Sequence, residues 1–167
     1  MTLEERTLNP IELLRRIQVR NKQRRLGICR AAVASFCADV LRILNKGGPA
    51  LSVAFVNPRE MRIMNRKYLG RDYATDVLSF SYDAMVIEGR SYLGEIVIAP
   101  EVAVLQATRY RMRPEKEMRK LLVHGILHLL GYNHETDRGR MNRLQAKLLG
   151  RKLLASSPAL MHMKETR

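Results

Sequence analysis

The stretch Pro114–His134, PEKEMRKLLVHGILHLLGYNH, decides the fold. Pro114 and Glu115 suit the first helical turn, where proline gives up no needed donor and a carboxylate meets the positive end of the helix dipole. Leu121, Leu122, Val123, Ile126, Leu127, Leu129 and Leu130 then cover nearly the whole circumference, so this helix has to be central to the core. Within it His124 and His128 stand four residues apart, about 40° apart on one face and one turn up, a spacing at which two imidazoles share a metal. Gly131 stops the helix where a left-handed residue reverses the chain, and that turn returns His134 to the same point.

Two polar rings buried without partners cost several kcal/mol, and a shared ion removes the cost. Imidazole-only ligation with an open fourth position favours Zn²⁺ or another late first-row divalent ion, one per chain, and points to catalysis more than to structure. The metal ligands expected are therefore His124, His128 and His134. His162, behind Ser156-Ser157-Pro158, has no partner at ligand spacing.

Outward from this helix, apolar residues recur at three and four from Arg24 to Leu44, predicting a helix stopped by Gly47, Gly48 and Pro49. Leu51–Val56 reads as a strand, and Asn57 and Pro58 as the cap and first turn of a helix through about Asn65. Val77–Phe80 and Leu93–Ala99 read as strands paired in a long-looped hairpin. Helices are expected from Pro100 to about Tyr110 and from Glu135 to Leu154. The sum is an α+β single domain: a small three- or four-stranded mixed sheet packed with about five helices, the metal site at the central HxxxHxxGxxH helix-turn. Residues 1–23 read as a basic arm or short helix, 24–155 as the folded domain, and 156–167 as a flexible tail.

Charge narrows the partner class. Thirty Lys and Arg against sixteen Asp and Glu leave +14 over 167 residues, a surplus that attracts a polyanion by counterion release. Aromatics are 5% with no Trp, which disfavours a base-stacking platform of the RRM or OB type and leaves contact to a nucleic-acid backbone. Cys29 and Cys37, eight apart on one predicted helix, are too far apart to bridge and read as buried, reduced thiols. No apolar run approaches the roughly 20 residues a membrane helix needs. These features lead to the expectation of an unexported, cytoplasmic monomer without a membrane partner.

The histidine spacing equals that of the metzincin proteases, HExxHxxGxxH, but Gly125 stands where those enzymes carry their glutamate base. Without that carboxylate, peptide hydrolysis loses its usual means of activating water, so a metalloprotease is the weakest of the readings.

HGILHLLGYNH at His124–His134, NRKYLGRDYATDVLSF at Asn65–Phe80 and LGEIVIAPEVA at Leu93–Ala103 together resemble the bacterial YbeY family, in its order and spacing, over about Leu51 to Leu149. The resemblance implies a zinc-dependent, single-strand-specific endoribonuclease acting in small-subunit (16S) rRNA maturation and ribosome quality control, with rRNA and the ribosome or its proteins as partners. It maps the family's three metal-binding histidines onto His124, His128 and His134, and makes residues 24–155 a YbeY-like domain. Where the family usually has Arg after the Tyr of NxxYR, this chain has Leu69; Arg71 and Arg66 are the nearby candidates for that catalytic cation. Ala74 and Ser81 replace usual prolines, and Asn133 a common Asp. The alternative function is a ribosome-assembly RNA-binding factor whose metal site is structural or vestigial. Thr75–Phe80 reads as a strand behind a capped turn or as cleft lining, and Glu95 as solvent-facing or as support for a ligand.

Overall fold

The computed structural model describes residues 9–46, 48–82, 86–87 and 90–163. In chain order the elements are α1 (Pro10–Arg15), β1 (Ile17–Asn21), β2 (Leu26–Ile28), α2 (Arg30–Ile43), β3 (Ala50–Phe55), α3 (Pro58–Leu69) and β4 (Val77–Ser81). There follow β5 (Val86–Ile87), β6 (Arg90–Ile98), α4 (Pro100–Arg109), α5 (Pro114–Leu129), α6 (Arg140–Leu149), α7 (Lys152–Ala155) and β7 (Met161–Met163). Local sequence sets where helices begin: Asn57 Oδ1 accepts from the Glu60 N–H at 2.9 Å at the start of α3, and prolines open α3, α4 and α5.

The main sheet has the order β1-β3-β6-β4, with β5 pairing onto β6. β1, β3 and β6 run parallel, through Val19↔Val53 and Val53↔Ile96. β4 returns antiparallel along β6 with Leu78 opposite Val97, the expected hairpin. Side chains alternate across a strand, so Leu51, Val53, Phe55, Ile96 and Ile98 join the larger core with α2 and α5. Ala54, Val56, Leu78 and Val97 form a smaller core with Met61 of α3 on the other face. Phe36, Phe55, Leu122 and Ile126 are wholly buried, and the mixed sheet sandwiched by helices is the α+β class expected.

α5 lies close against the sheet for a specific reason. A Cβ on Gly125 would come within 2.9 Å of the Ile96 side chain, so a larger residue there has to displace that side chain. The glycine at the position of the protease glutamate thus allows the close approach of helix and strand.

Several expectations are corrected. The short helix expected as one reading of the N-terminal segment is α1, but Ile17–Asn21, assigned to the same arm or short helix, forms β1 in the sheet; with only Ile17 and Val19 as inward apolar residues, the segment is too short for its alternation to show. The helix expected from Arg24 starts at Arg30, because Leu26–Ile28 pairs with Met161–Met163. That pairing also orders residues assigned to a flexible tail. Arg119 donates to the carbonyls of Leu154, Ser157 (2.7 Å) and Pro158 (3.3 Å), and Glu115 accepts from the Leu160 N–H at 3.0 Å. The helix expected from Glu135 begins at Arg140, after positive φ at Arg138 and Gly139, and breaks at Gly150. α3 runs on to Leu69, four residues past Asn65. Cys29 precedes α2 and is exposed; Cys37 is buried as expected, and burial pushes its thiol up to about 12.

Candidate metal centre

α5 ends as its sequence predicts. Gly131 takes φ 89°, its N–H bonds to the His128 carbonyl and the Tyr132 N–H to the Leu127 carbonyl, both at 3.0 Å. This pair of bonds is a Schellman turn, which left-handed glycine permits without Cβ strain. Asn133 then accepts from the Glu135 N–H at 3.0 Å and holds the next turn. The result brings His134 back beside the two helical histidines.

The three rings converge. His124 Nε2 lies 3.1 Å from His128 Nε2, which lies 3.2 Å from His134 Nδ1. A tetrahedral ion with bonds of about 2.0–2.1 Å holds its ligand atoms about 3.3 Å apart. Two of the three spacings match that geometry and all three ligand atoms lie within 4.8 Å of one another, so the donor set can hold a first-row divalent ion. His124 and His128 are half-buried and His134 is exposed, so the cluster is closed on the core side and open to solvent.

Electrostatics favour the ligating state. Burial pushes His124 below the usual histidine range, with His128 beside it adding to the shift. Burial likewise depresses His128, and neighbouring His134 reinforces it. Neutral imidazole is the form that carries a free lone pair. The His124 tautomer is set by Gln145 of α6, whose Oε1 lies 3.1 Å from His124 Nδ1. Nδ1–H donates to that oxygen, which leaves Nε2 free to face the other two nitrogens.

The histidines open into a cleft of about 610 Å³, bounded on the far side by Leu69, Arg71, Thr75, Asp76, Val77 and Ser79. β4 supplies its cleft-facing residues Val77 and Ser79, so Thr75–Phe80 is cleft lining as well as a capped strand. Asp76 Oδ1 accepts from the Val77 N–H at 2.8 Å and from Thr75 Oγ1 at 3.2 Å. Arg71 lines the cleft, and its guanidinium makes no hydrogen bond or ion pair among the described residues. Arg66 does not line it; its charge acts instead on Asp72. A two-bond ion pair, Arg62 Nε to Asp72 Oδ1 at 2.9 Å and Nη2 to Oδ2 at 2.8 Å, ties the Arg71 turn to α3. Glu95 faces away from the histidines, on the Val97 side of β6. His162 is also remote from the cluster, its ring lying over Gly27 across the β2–β7 pair.

Sequence reasoning missed Gln145; it reached Asp76 only as part of the Thr75–Phe80 stretch. Gln145 had a signal: with Met141, Leu144 and Leu148 it completes an i, i+3, i+4, i+7 stripe, and a polar side chain on such a stripe needs an inward partner.

A family model described as Endoribonuclease YbeY matches residues 18–152. The chain is 33% identical over 150 residues to the endoribonuclease YbeY of Thermodesulfovibrio yellowstonii, covering 80% of this chain and 94% of that one. It is 41% identical over 105 residues to that of Alkaliphilus metalliredigens, covering 59% and 68%. A solution structure of a Thermotoga maritima protein matches with a TM-score of 0.56 and 28% identity over 80% of this chain and 86% of that one.

Proposed function

Because the chain belongs to the YbeY family of endoribonucleases, we propose that it is a metal-dependent endoribonuclease specific for single-stranded RNA, its ion held by His124, His128 and His134. The observation that carries this reading is the convergence of three imidazole nitrogens at the head of an open cleft. Zn²⁺ or another late first-row divalent ion suits the donors, and when bound it supplies Lewis-acid charge at the head of the cleft. The protein does the rest. Gln145 orients His124, the Schellman turn at Gly131 presents His134, and the Arg62–Asp72 pair steadies the turn that carries Arg71. Arg71 is the cation placed to bind a phosphate in the cleft and to stabilise charge developing on its oxygens. Leu69 offers no charge there. The cleft is open enough for an extended strand, and a surplus of fourteen positive charges draws the polyanion in.

The finer assignment follows the family: cytoplasmic maturation of the small-subunit (16S) rRNA and ribosome quality control, on the ribosome or with its proteins, by a monomer. The test is cleavage of a single-stranded RNA by purified protein stripped of metal and then reloaded. Loss on stripping, recovery on reloading and inactivity of His128→Ala are expected; an unaffected His128→Ala, after a mock purification excludes contaminating nuclease, overturns the reading. Leu69, lining the cleft where the family carries a cation, favours a second reading, an RNA-binding assembly factor with a structural ion. That reading predicts RNA binding without cleavage at any metal loading.

A further inference from the structure

The fold gathers aromatic rings that the sequence scatters. Of six Tyr and three Phe, four stand together beside β4. Tyr68 of α3 meets Phe80 edge-on, centroids 4.9 Å apart at 64°. Tyr82 and Tyr92 lie 5.6 Å apart at 40°. Phe80 and Tyr82 are two residues apart, about 6.7 Å along the chain, so the two pairs form successive rungs. Tyr92 is hydrogen-bonded to the Ser52 side chain, which fixes its ring.

These rings occupy the sheet face opposite the histidines. α3 covers one end of that face, its Met61 packing with Ala54, Leu78 and Val97. Among the described residues the other end is uncovered: Gln18 and Arg20 are exposed, as are Tyr68 (53%) and Tyr82 (38%). β4 is the edge strand of the sheet, and it separates the two sites by one residue: Ser79 lines the cleft and Phe80 belongs to the rungs. Leu69 lines the cleft and Tyr68 belongs to the rungs. A strand of RNA leaving the cleft needs only to round this edge. Positive charge waits there, with Lys67 Nζ 5.0 Å from the Tyr68 ring centre and Arg20 acting on the Tyr92 phenol. Glu95 shares the face and repels phosphate from its middle, which leaves the phosphates to the Lys67 and Arg20 flanks.

We propose that Tyr68–Phe80 and Tyr82–Tyr92 are a base-stacking subsite for the nucleotides that flank those in the cleft. The proposal rests on the reading of the substrate as single-stranded RNA and assigns that substrate a second contact surface. Stacking needs a π face and no particular hydrogen-bond pattern, so binding here is tolerant of sequence and favours the larger purine faces.

The experiment uses full-length, metal-stripped protein and fluorescently labelled short oligo(A) and oligo(U), read by anisotropy at several salt concentrations. Tyr68→Ala and Tyr82→Ala are each expected to weaken oligo(A) binding about 5- to 100-fold, the range for one lost stack, and to leave the salt slope unchanged because no phosphate contact is removed. Tyr82→Phe should bind as wild type, whereas Tyr82→Leu, which fills similar space without a ring, should behave as Tyr82→Ala. Tyr110→Ala, exposed at the end of α4, should be silent. Wild-type affinity in Tyr68→Ala and Tyr82→Ala, or equal affinity for oligo(U) and oligo(A), overturns the proposal. The two readings fail separately. A protein that cuts nothing at any metal loading but loses oligo(A) on Tyr82→Ala keeps the subsite and sinks the nuclease; active Tyr variants with unchanged affinity sink the subsite alone.

Discussion

Replacing Gln145 with Ala should weaken metal binding without unfolding the protein. The His124 Nδ1–H donates to Gln145 Oε1 at 3.1 Å in a half-buried setting. Removing a partner of a buried donor costs about 1–3 kcal/mol, and partial exposure lets water recover some of it. About 1–2 kcal/mol remains, which is about 5- to 30-fold in affinity and overlaps the lower part of the roughly 10- to 100-fold seen when supporting partners of metal-binding histidines are removed. The global cost should be smaller, because water also reaches Nδ1–H in the metal-free fold. The assay is a Co²⁺ titration read by visible absorption against a competing chelator, beside a urea midpoint for the same variant. A His124→Ala, Gln145→Ala double variant supplies the control: once His124 is gone, removing Gln145 should cost nothing further. Metal affinity of Gln145→Ala within about twofold of wild type would refute the claim that this hydrogen bond sets the His124 tautomer.

Gly125→Ala, whose Cβ meets Ile96 at 2.9 Å, should destabilise the fold by about 1–2 kcal/mol, the overpacking cost less the helix gain of alanine; adding Ile96→Ala should make the pair less than additive in thermal melts. Arg71→Ala should lower the cleavage rate on the order of 10²-fold with metal content by elemental analysis unchanged, and full activity would remove Arg71 from the mechanism. For the metal-free protein, stability should fall with acidification: burial depresses His124 and His128 in the folded state, so below the usual histidine range the unfolded chain takes up protons that the folded chain refuses. Urea midpoints measured from about pH 8 to about pH 5.5 should decline, and a flat profile would contradict the burial of those rings.

What the sequence made legible was what local rules encode. Helical spacing plus one glycine placed three histidines at a point, and Asn57, Pro100 and Pro114 marked helix starts. What escaped depended on partners distant in the chain. β1 has two inward apolar residues and exists because β3 pairs with it. β2 was absorbed into a helical pattern because Leu26 and Ile28 fit that period as well as a strand's, and only Met161–Met163 decides between them. Gln145 reaches His124 across the contact between α6 and α5, and composition diluted the aromatic rings that β4 and α3 bring together. A percentage of aromatics carries no information about their clustering.

The pairing of β2 with β7 has a consequence for the order in which the molecule can be completed. β2 is made early in synthesis, and β7 after every other described element. Until Met161–Met163 emerges, one edge of Leu26–Ile28 has no antiparallel neighbour, while the carbonyls that Arg119 gathers and the amide that Glu115 accepts are still missing. The nascent chain can thus assemble its sheet, its central helix and its histidine cluster before it is sealed. The last closure is a seam between early and late chain, a place where a bulky fusion appended after Met163 would compete with native closure while the histidine turn stayed intact.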